Sequence, residues 1–531
     1  MARKIRSRQN APAQRDSLCG SPSAAPPPLP NSLPLPTVVP YGIRSRTVKA
    51  DNPTMAKKVG IWTIPTELNL QIIGYLYRGD AMSLGQTCTA FRALTVVRVL
   101  GCMTIDFGHP SQLPSLAAPG NLTAQDAARF TKRIQLFGNA STRSQVGQYS
   151  SLLGAALMQL QEVQEVCLKG AFVGKLSWAV LRGWTKLTRV EFVYTRHNNF
   201  LVELPEGIFS GLLGFSFRCE RPTLKPMEIK HYLEGLNRAL GDAPQLKDLS
   251  IDLGQNDEIP RMLSVFTDQM ELNKLAIRGW KRSAHGLHVS WHHFRCLSEL
   301  HLEVWAGSTD NLWGTLQVHR IWIPKIKCDV TMLDAPDLVE YLQASTNLTS
   351  LEIRKWTSIG WHTDPATESL ANDWVGVLWK HRDTLSVLGF RGADREWAYN
   401  DELAALVLSC RKLKEFSISV KHGGMTKLMK DVSTLPYFEK LGLNNTTFAL
   451  HPPSTVDMSS NDLANNTYRA LHRFEVPQES KFWAVVFAAQ GGTEEFRRVG
   501  RKFVRGGVDR WGLWVPVSDP HDTVDRYGEV H

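Results

Sequence analysis

"LSELHL" (297–302) is apolar at its first, fourth and sixth positions, and the same arrangement keeps returning along the chain. It recurs as "LTRVEF" (187–192), "LKDLSI" (246–251), "LNKLAI" (272–277) and "LTSLEI" (348–353). Further on come "LSVLGF" (385–390), "LKEFSI" (413–418) and "FEKLGL" (438–443). Steps between successive starts include 26, 25, 28 and 25 residues. The 51-residue step from 297 to 348 leaves room for a degenerate copy in "IWIPKIKCDV" (321–330), and the step from 187 to 246 for a strand near "LLGFSF" (212–217). A fixed period of this length is the signature of a repeat architecture.

Six residues alternating in polarity at their end predict a short strand, with positions four and six on one face and the residue between them on the other. Helical segments precede the strands, among them "KHYLEGLNRAL" (230–240), "PDLVEYLQAS" (336–345), "DWVGVLWKHR" (373–382) and "DELAALVLSC" (401–410). One strand and one helix cannot bury an apolar face alone. Stacked copies can, so the expected fold is an α/β solenoid with one continuous core, its intervening strand residues on a concave surface.

Upstream, "SPSAAPPPLPNSLPLPTVVP" (21–40) is too rich in proline for a packed element, so residues 1–58 are expected to form a disordered leader. "IPTELNLQIIGYL" (64–76) then starts a helix. Pro65 suits a first turn, and Leu68, Ile72 and Leu76 recur at spacing four with Ile73 beside them. Arg78-Gly79 is expected to break this helix and Asp80 to cap a second one carrying Met82 and Leu84. A third begins near Thr87 or Cys88 and carries Phe91, Leu94 and Val97.

Charge and composition narrow the function. Of the net +10, residues 1–57 carry +7 and residues 490–531 carry none, which leaves +3 for the body. Nucleic-acid binding rests on clustered phosphate neutralisation, so a near-neutral body argues against it. No apolar run is long enough to span a bilayer, and no apolar stretch of a secretory signal follows the basic start. The eight cysteines are scattered without a close pair, as expected of buried thiols in a cytoplasmic or nuclear, reducing compartment. No nucleophile elbow, Walker loop or dinucleotide turn occurs, so no catalytic residue, cofactor or metal is expected. "HGLHVSWHHFRCLSELH" (285–301) holds five histidines and Cys296 without metal-site spacing, and is expected to be a loop.

Ile64-Pro65, Glu67-Leu68, Ile72, Leu76, Asp80, Leu84, Cys88 and Phe91-Arg92 together resemble the F-box family, with Ile64 in place of the usual leucine and Ala81 where a larger apolar residue is common. The repeats resemble leucine-rich repeats of the irregular kind found after F-boxes in many fungal proteins. The family's asparagine in the turn after the strand is missing: Trp280, Trp305 and Trp356 stand there in three repeats, and Gly254, Ala393 and Lys421 in others.

The resemblance implies a three-helix F-box at 59–100, a degenerate leucine-rich-repeat horseshoe over 101–480 and a cap at 481–531. It also implies the role of substrate receptor in an SCF-type cullin–RING ubiquitin ligase. Ile64, Pro65, Leu68, Ile72, Ile73, Leu76, Leu84, Cys88 and Phe91 would dock on a Skp-type adaptor, while the repeats hold a protein target. Ten of the sixteen tryptophans fall between 280 and 397, and Trp280, Trp305 and Trp356 recur at one repeat position. They are the first candidates for target contact, since tryptophan is enriched at binding hot spots; large aromatics also fill irregular cores. The alternatives are a repeat scaffold outside any ligase and a nucleic-acid binder using the basic leader. "EEFRRVGRKFVRGGVDRWGLWVP" (494–516) is expected to cap the last repeat with a helix bearing Phe496, Val499 and Phe503.

Overall fold

In the computed structural model, every first, fourth and sixth residue of the eight repeats is buried. The structure describes residues 65–516 apart from a series of connecting segments, of which 220–233, 356–373 and 445–466 are the longest. The leader, Ile64 and the helix expected at 230–240 lie outside the described residues or largely so. Among the described residues the strands form one sheet in which each pairs with its neighbour in sequence.

Strands β1 (Cys102–Asp106), β2 (Arg133–Gly138), β3 (Glu165–Gly170), β4 (Arg189–Tyr194), β5 (Gly214–Cys219), β6 (Asp248–Asn256) and β7 (Lys274–Trp280) run parallel. They continue in parallel through β8 (Glu299–Val304), β9 (Lys325–Val330), β10 (Ser350–Lys355), β11 (Val387–Gly392), β12 (Glu415–Ser419), β13 (Lys440–Asn444) and β14 (Ala484–Ala489). The chain is thus an α/β solenoid with a long, mostly parallel sheet flanked by short helices. Both degenerate copies foreseen in the sequence are present, as β9 and β5.

The rungs begin earlier than the repeat pattern indicates. β1, β2 and β3 carry the same inward set: Met103 and Ile105, Ile134 and Leu136, Val166 and Leu168. In β2 the first position is Thr131, whose hydroxyl donates to the Leu100 carbonyl at 3.0 Å, so a polar residue sits there satisfied. A further rung follows the last repeat, with Phe482 and Val485 buried ahead of and within β14.

Where the strands begin, the rungs are joined by a ladder of shared carbonyls. The amides of the second and third residues of each rung both donate to the carbonyl of the second residue in the rung before. Lys132 and Arg133 donate to Gly101, Gln164 and Glu165 to Lys132, Ser298 and Glu299 to Asn273, and Trp483 and Ala484 to Glu439. Thr188, Ser298, Thr349 and Ser386 add a hydroxyl to the same carbonyl, at 2.9–3.2 Å. Backbone groups at the strand starts are therefore satisfied by other backbone groups, whatever side chain stands there.

The rung of β9 is the exception that tests this scheme. Pro324 occupies its second position and has no N–H, so Lys325 alone donates to the Ser298 carbonyl. The first position of this rung is held by a side chain from a neighbouring helix, where other rungs use a backbone carbonyl three residues before. Tyr341, buried on the helix Ala335–Ala344, accepts from the Ile323 amide at 2.8 Å and donates to the Ile321 carbonyl at 2.9 Å. Burial raises the Tyr341 phenol above its ordinary value, so it stays a neutral donor. Tyr341→Phe leaves the Ile323 amide buried without its partner and is expected to cost about 1–3 kcal/mol in urea-denaturation stability.

The helices that back the sheet are α4 (Leu122–Phe130), α5 (Leu312–Val318), α6 (Ala335–Ala344), α7 (374–381), α8 (Asp401–Ser409) and α9 (Met425–Ser433). Leu403, Leu406 and Val407 on α8, with Leu428, Met429 and Val432 on α9, close the core over the inward strand residues. Asn400 caps α8 by accepting from the Leu403 amide at 2.8 Å.

Two expectations fail, one at the C-terminal end of the sheet and one between β7 and β8. The helix foreseen around Phe496, Val499 and Phe503 is a hairpin of β15 (Gly492–Val499) and β16 (Lys502–Val508), antiparallel to β14 and followed by β17 (Trp514–Pro516). Gly500, at φ 65°, makes the tight reversal between Val499 and Lys502 that side chains resist. The histidine-rich stretch is not a loop but a 3-10 helix, Leu287–Phe294, with His293 fully buried.

Candidate interaction surfaces

Ahead of β1 stand α1 (Thr66–Tyr75), α2 (Arg78–Thr87) and α3 (Thr89–Leu100). Pro65 is the cap residue before α1 and lies outside its first turn, while Arg78-Gly79 opens α2 instead of separating it from α1. Asp80 accordingly sits within the first turn of α2, where its charge complements the helix dipole. Cys88 is the N-cap residue of α3, as its place in the sequence indicates. α2 and α3 approach closely because Ala81 is fully buried and Gly85 has no side chain; a Cβ there would meet Thr95 Oγ1 at 2.5 Å.

The N-terminal helices divide their apolar residues between two sides. Ile73 is only 4% exposed and Asn69 is buried, so this side of α1 faces its own chain. Ile73, grouped by resemblance with the docking residues, therefore has a packing role in this structure. Leu68, Leu70 and Ile72 are 44–48% exposed and Met82 on α2 is 47% exposed, which leaves large apolar side chains in water. Leu76, Leu84, Cys88 and Phe91 are half-buried between the two sides, and Pro65 is exposed. Leu70 falls outside the spacing-four row and its exposure is not apparent from periodicity.

α3 runs through Gly101 directly into β1, and the Gly101 carbonyl is the first acceptor of the rung ladder. Arg92 also pairs with Asp126 of α4 at 2.7 Å. The helices are thus built onto the first rungs without an intervening linker.

The open side of the sheet, opposite the helices, is a lattice of alternating charges. At one register position Arg133 faces Glu165 at 3.7 Å, Lys274 pairs with Glu299, and Lys440 faces Glu415 at 3.9 Å. Arg189 reaches past β5 to Asp248 at 2.5 Å, a path that exists because Gly214 has no side chain: a Cβ there would lie 2.9 Å from Arg189 Cγ. Such exposed pairs contribute about 0–1 kcal/mol each, but a one-residue slip would set every one of them wrong, so they fix register.

A cavity of about 400 Å³ opens on this face over β2–β7, with Arg133, Cys167, Arg189, Glu191, Ser216 and Asp248 in its lining. Burial and then the Glu191 carboxylate push the Cys167 thiol up to about 12, which keeps it protonated. It serves as a weak donor to Glu191. Further along, His301 is held between Arg278 (3.2 Å) and Glu303 (2.9 Å), and burial lowers its pKa despite that carboxylate.

Of the tryptophans proposed for target contact, Trp280 ends β7 in register with Val304, and Trp305 and Trp356 lie outside the described residues. Trp313 and Trp374 are core residues, Trp313 packing at 5.4 Å against Tyr341. Trp291 stacks on His319 with ring centroids 3.5 Å apart. Cysteines 167, 219, 328 and 410 are buried as expected, whereas Cys102 and Cys296 are exposed. Among the described residues no group of three potential ligands could hold a metal ion, and no helix is long and apolar enough to cross a membrane.

No family model matches this chain, and no curated protein matches it. The architecture is that of a protein-interaction scaffold in general, a stacked solenoid with a broad open face and an apolar helical surface at its N-terminal end.

Proposed function

We propose that the chain is the substrate-recognition subunit of an SCF-type cullin–RING ubiquitin ligase. The observation that carries this reading is the exposure of Leu68 and Ile72, one turn apart on a single face of α1, with Leu70 and, on α2, Met82 also exposed. Four large apolar side chains left about half exposed within one small helical module fit a surface made for a partner. Leu68 and Ile72 are also positions of the F-box resemblance, which assigns that partner to a Skp-type adaptor.

In this reading the chain supplies no catalytic residue, cofactor or metal and works in the cytoplasm or nucleus, where a ligase core is found. A target held on the solenoid is brought near a ubiquitin-loaded enzyme, which converts a bimolecular encounter into a local one. The direct build of α3 onto β1 supports it, because an adaptor bound at α1 would be held rigidly to the target-bearing sheet.

Co-expression with a Skp-type adaptor tests the reading. The native chain should co-purify with it, and Leu68→Asp with Ile72→Asp should abolish the complex while thermal unfolding stays within about 0.5 kcal/mol, since both residues are exposed. A native chain that forms no complex would leave a repeat scaffold outside any ligase. An assembled complex that transfers no ubiquitin would point the same way.

A further inference from the structure

Two aromatic side chains near the C-terminal end of the sheet are more exposed than the fold requires: Tyr437 at 47% and Trp483 at 40%. They stand on adjacent rungs, at the rim where the strands begin. Parallel pairing of β12, β13 and β14 aligns Glu415 with Lys440 and Lys440 with Ala484. That register sets Lys412, Tyr437 and Lys481 side by side before the strands, and Lys414, Glu439 and Trp483 side by side two residues on.

The fold uses the backbone of these residues and not their rings. The Trp483 amide donates to Glu439 and its carbonyl accepts from Arg498. Neither bond depends on an indole, and other rungs carry Gln164, Thr188, Lys247 or Asn273 at the same position. Each ring is instead dressed by a cation. Lys481 Nζ lies 4.7 Å from the Tyr437 centroid, and the Arg497 guanidinium lies 5.4 Å from that of Trp483. Cations in such positions orient the rings before any partner arrives and leave part of each ring in water.

The surroundings are basic. Arg411, Lys412, Lys414 and Lys481 are exposed, and Arg498 is committed to backbone carbonyls of Gly500, Ser480 and Gln478. Against them stand Glu439, Glu479 and Glu495, the last already paired with Arg497 at 2.8 Å. On the open face Arg133, Arg189 and Lys274 are paired with acids of neighbouring strands; here exposed cations outnumber the acids around two aromatic anchors.

We propose that this rim of β12–β14 docks an extended acidic segment of a partner polypeptide, its carboxylates on Lys412, Lys414 and Lys481 and an apolar side chain against Trp483. Tryptophan, tyrosine and arginine are the residue types that dominate interface energetics. A polypeptide fits better than a nucleic acid, because three neighbouring strands span only about 10 Å, too short for a run of phosphate contacts. The site is independent of what the N-terminal helices bind.

The test is fluorescence anisotropy at low salt with the full chain and a fluorescein-labelled dodecapeptide repeating Glu-Leu-Asp-Ser. Comparators are the same repeat with lysine for both acids, and an oligothymidylate of equal length. The acidic peptide alone should bind. Lys412→Glu with Lys481→Glu should weaken it about tenfold or more, and Trp483→Ala about fivefold or more. Lys186→Glu with Lys247→Glu, which reverses exposed charges on the same rim of earlier rungs, should change it less than about twofold. Thermal unfolding of each variant checks that the sheet is intact. Equal weakening by both lysine pairs, preferential binding of thymidylate, or no binding of the acidic peptide would overturn the proposal.

Discussion

Leu300→Ala is expected to lower the unfolding free energy by about 2–5 kcal/mol, while Glu299→Ala, one residue away, changes it by no more than about 1 kcal/mol. Leu300 is fully buried at the fourth position of its rung, in register between Leu275 of β7 and Ile326 of β9. Truncating it removes the transfer energy of the lost methyl groups and leaves a cavity. Collapse around that cavity is opposed on both sides, because the shared-carbonyl ladder holds the flanking strands at fixed spacing. The upper part of the range therefore applies here.

Glu299 points to the open face and pairs there with Lys274, a contact screened by water. Stability in a solenoid is close to a sum of rungs and nearest-neighbour interfaces, and Leu300 belongs to two interfaces at once. Urea denaturation followed by circular dichroism measures both variants. Equal effects would mean that the inward row does not carry the fold.

That inward row is also what the sequence made legible. An apolar residue at positions one, four and six is a demand of geometry, and each such residue in the eight repeats is buried. Even "IPKIKC", with proline second and cysteine sixth, folds as a rung, because Ile323, Ile326 and Cys328 meet the same demand. The demand is on burial and not on hydrophobicity as such, so the rung of β2 departs from the apolar pattern: Thr131 is buried with its hydroxyl bonded.

Other features lie beyond periodicity. Phe496, Val499 and Phe503 are spaced like a helical stripe, yet Gly500 folds the chain back between them; a spacing carries no record of a reversal inside it. On α1, Leu68 and Ile72 mark an apolar helix, but only the structure shows that Asn69 and Ile73 are the pair turned inward. The exposed aromatics of the last rungs were hidden for a similar reason. Tyr437 and Trp483 look like ordinary apolar residues until the register places them outside the inward positions.

Acidification is expected to destabilise the protein through its buried histidines, with His293 the largest contributor. Its Nδ1 accepts from the Met270 amide at 3.0 Å, which places the proton of the neutral ring on Nε2. Burial, then the neighbouring His292 ring, lowers its pKa to about 4 from the usual 6.5. The unfolded chain therefore binds a proton between those values that the folded chain does not. The stability held by neutral His293 is complete above the unfolded value and is lost as pH falls towards the folded one.

The loss from this group is about 2 kcal/mol between pH 7 and pH 5, approaching about 3 kcal/mol near pH 4. His301 and His381, both lowered chiefly by burial, act with the same sign. His293→Asn keeps an acceptor for the Met270 amide and removes the titration. Measured by urea denaturation at pH 7 and pH 5, this variant should lose less stability than the native chain by most of that difference. Equal losses in the two would mean that His293 is already solvated, which its full burial against Met270 and Phe294 opposes.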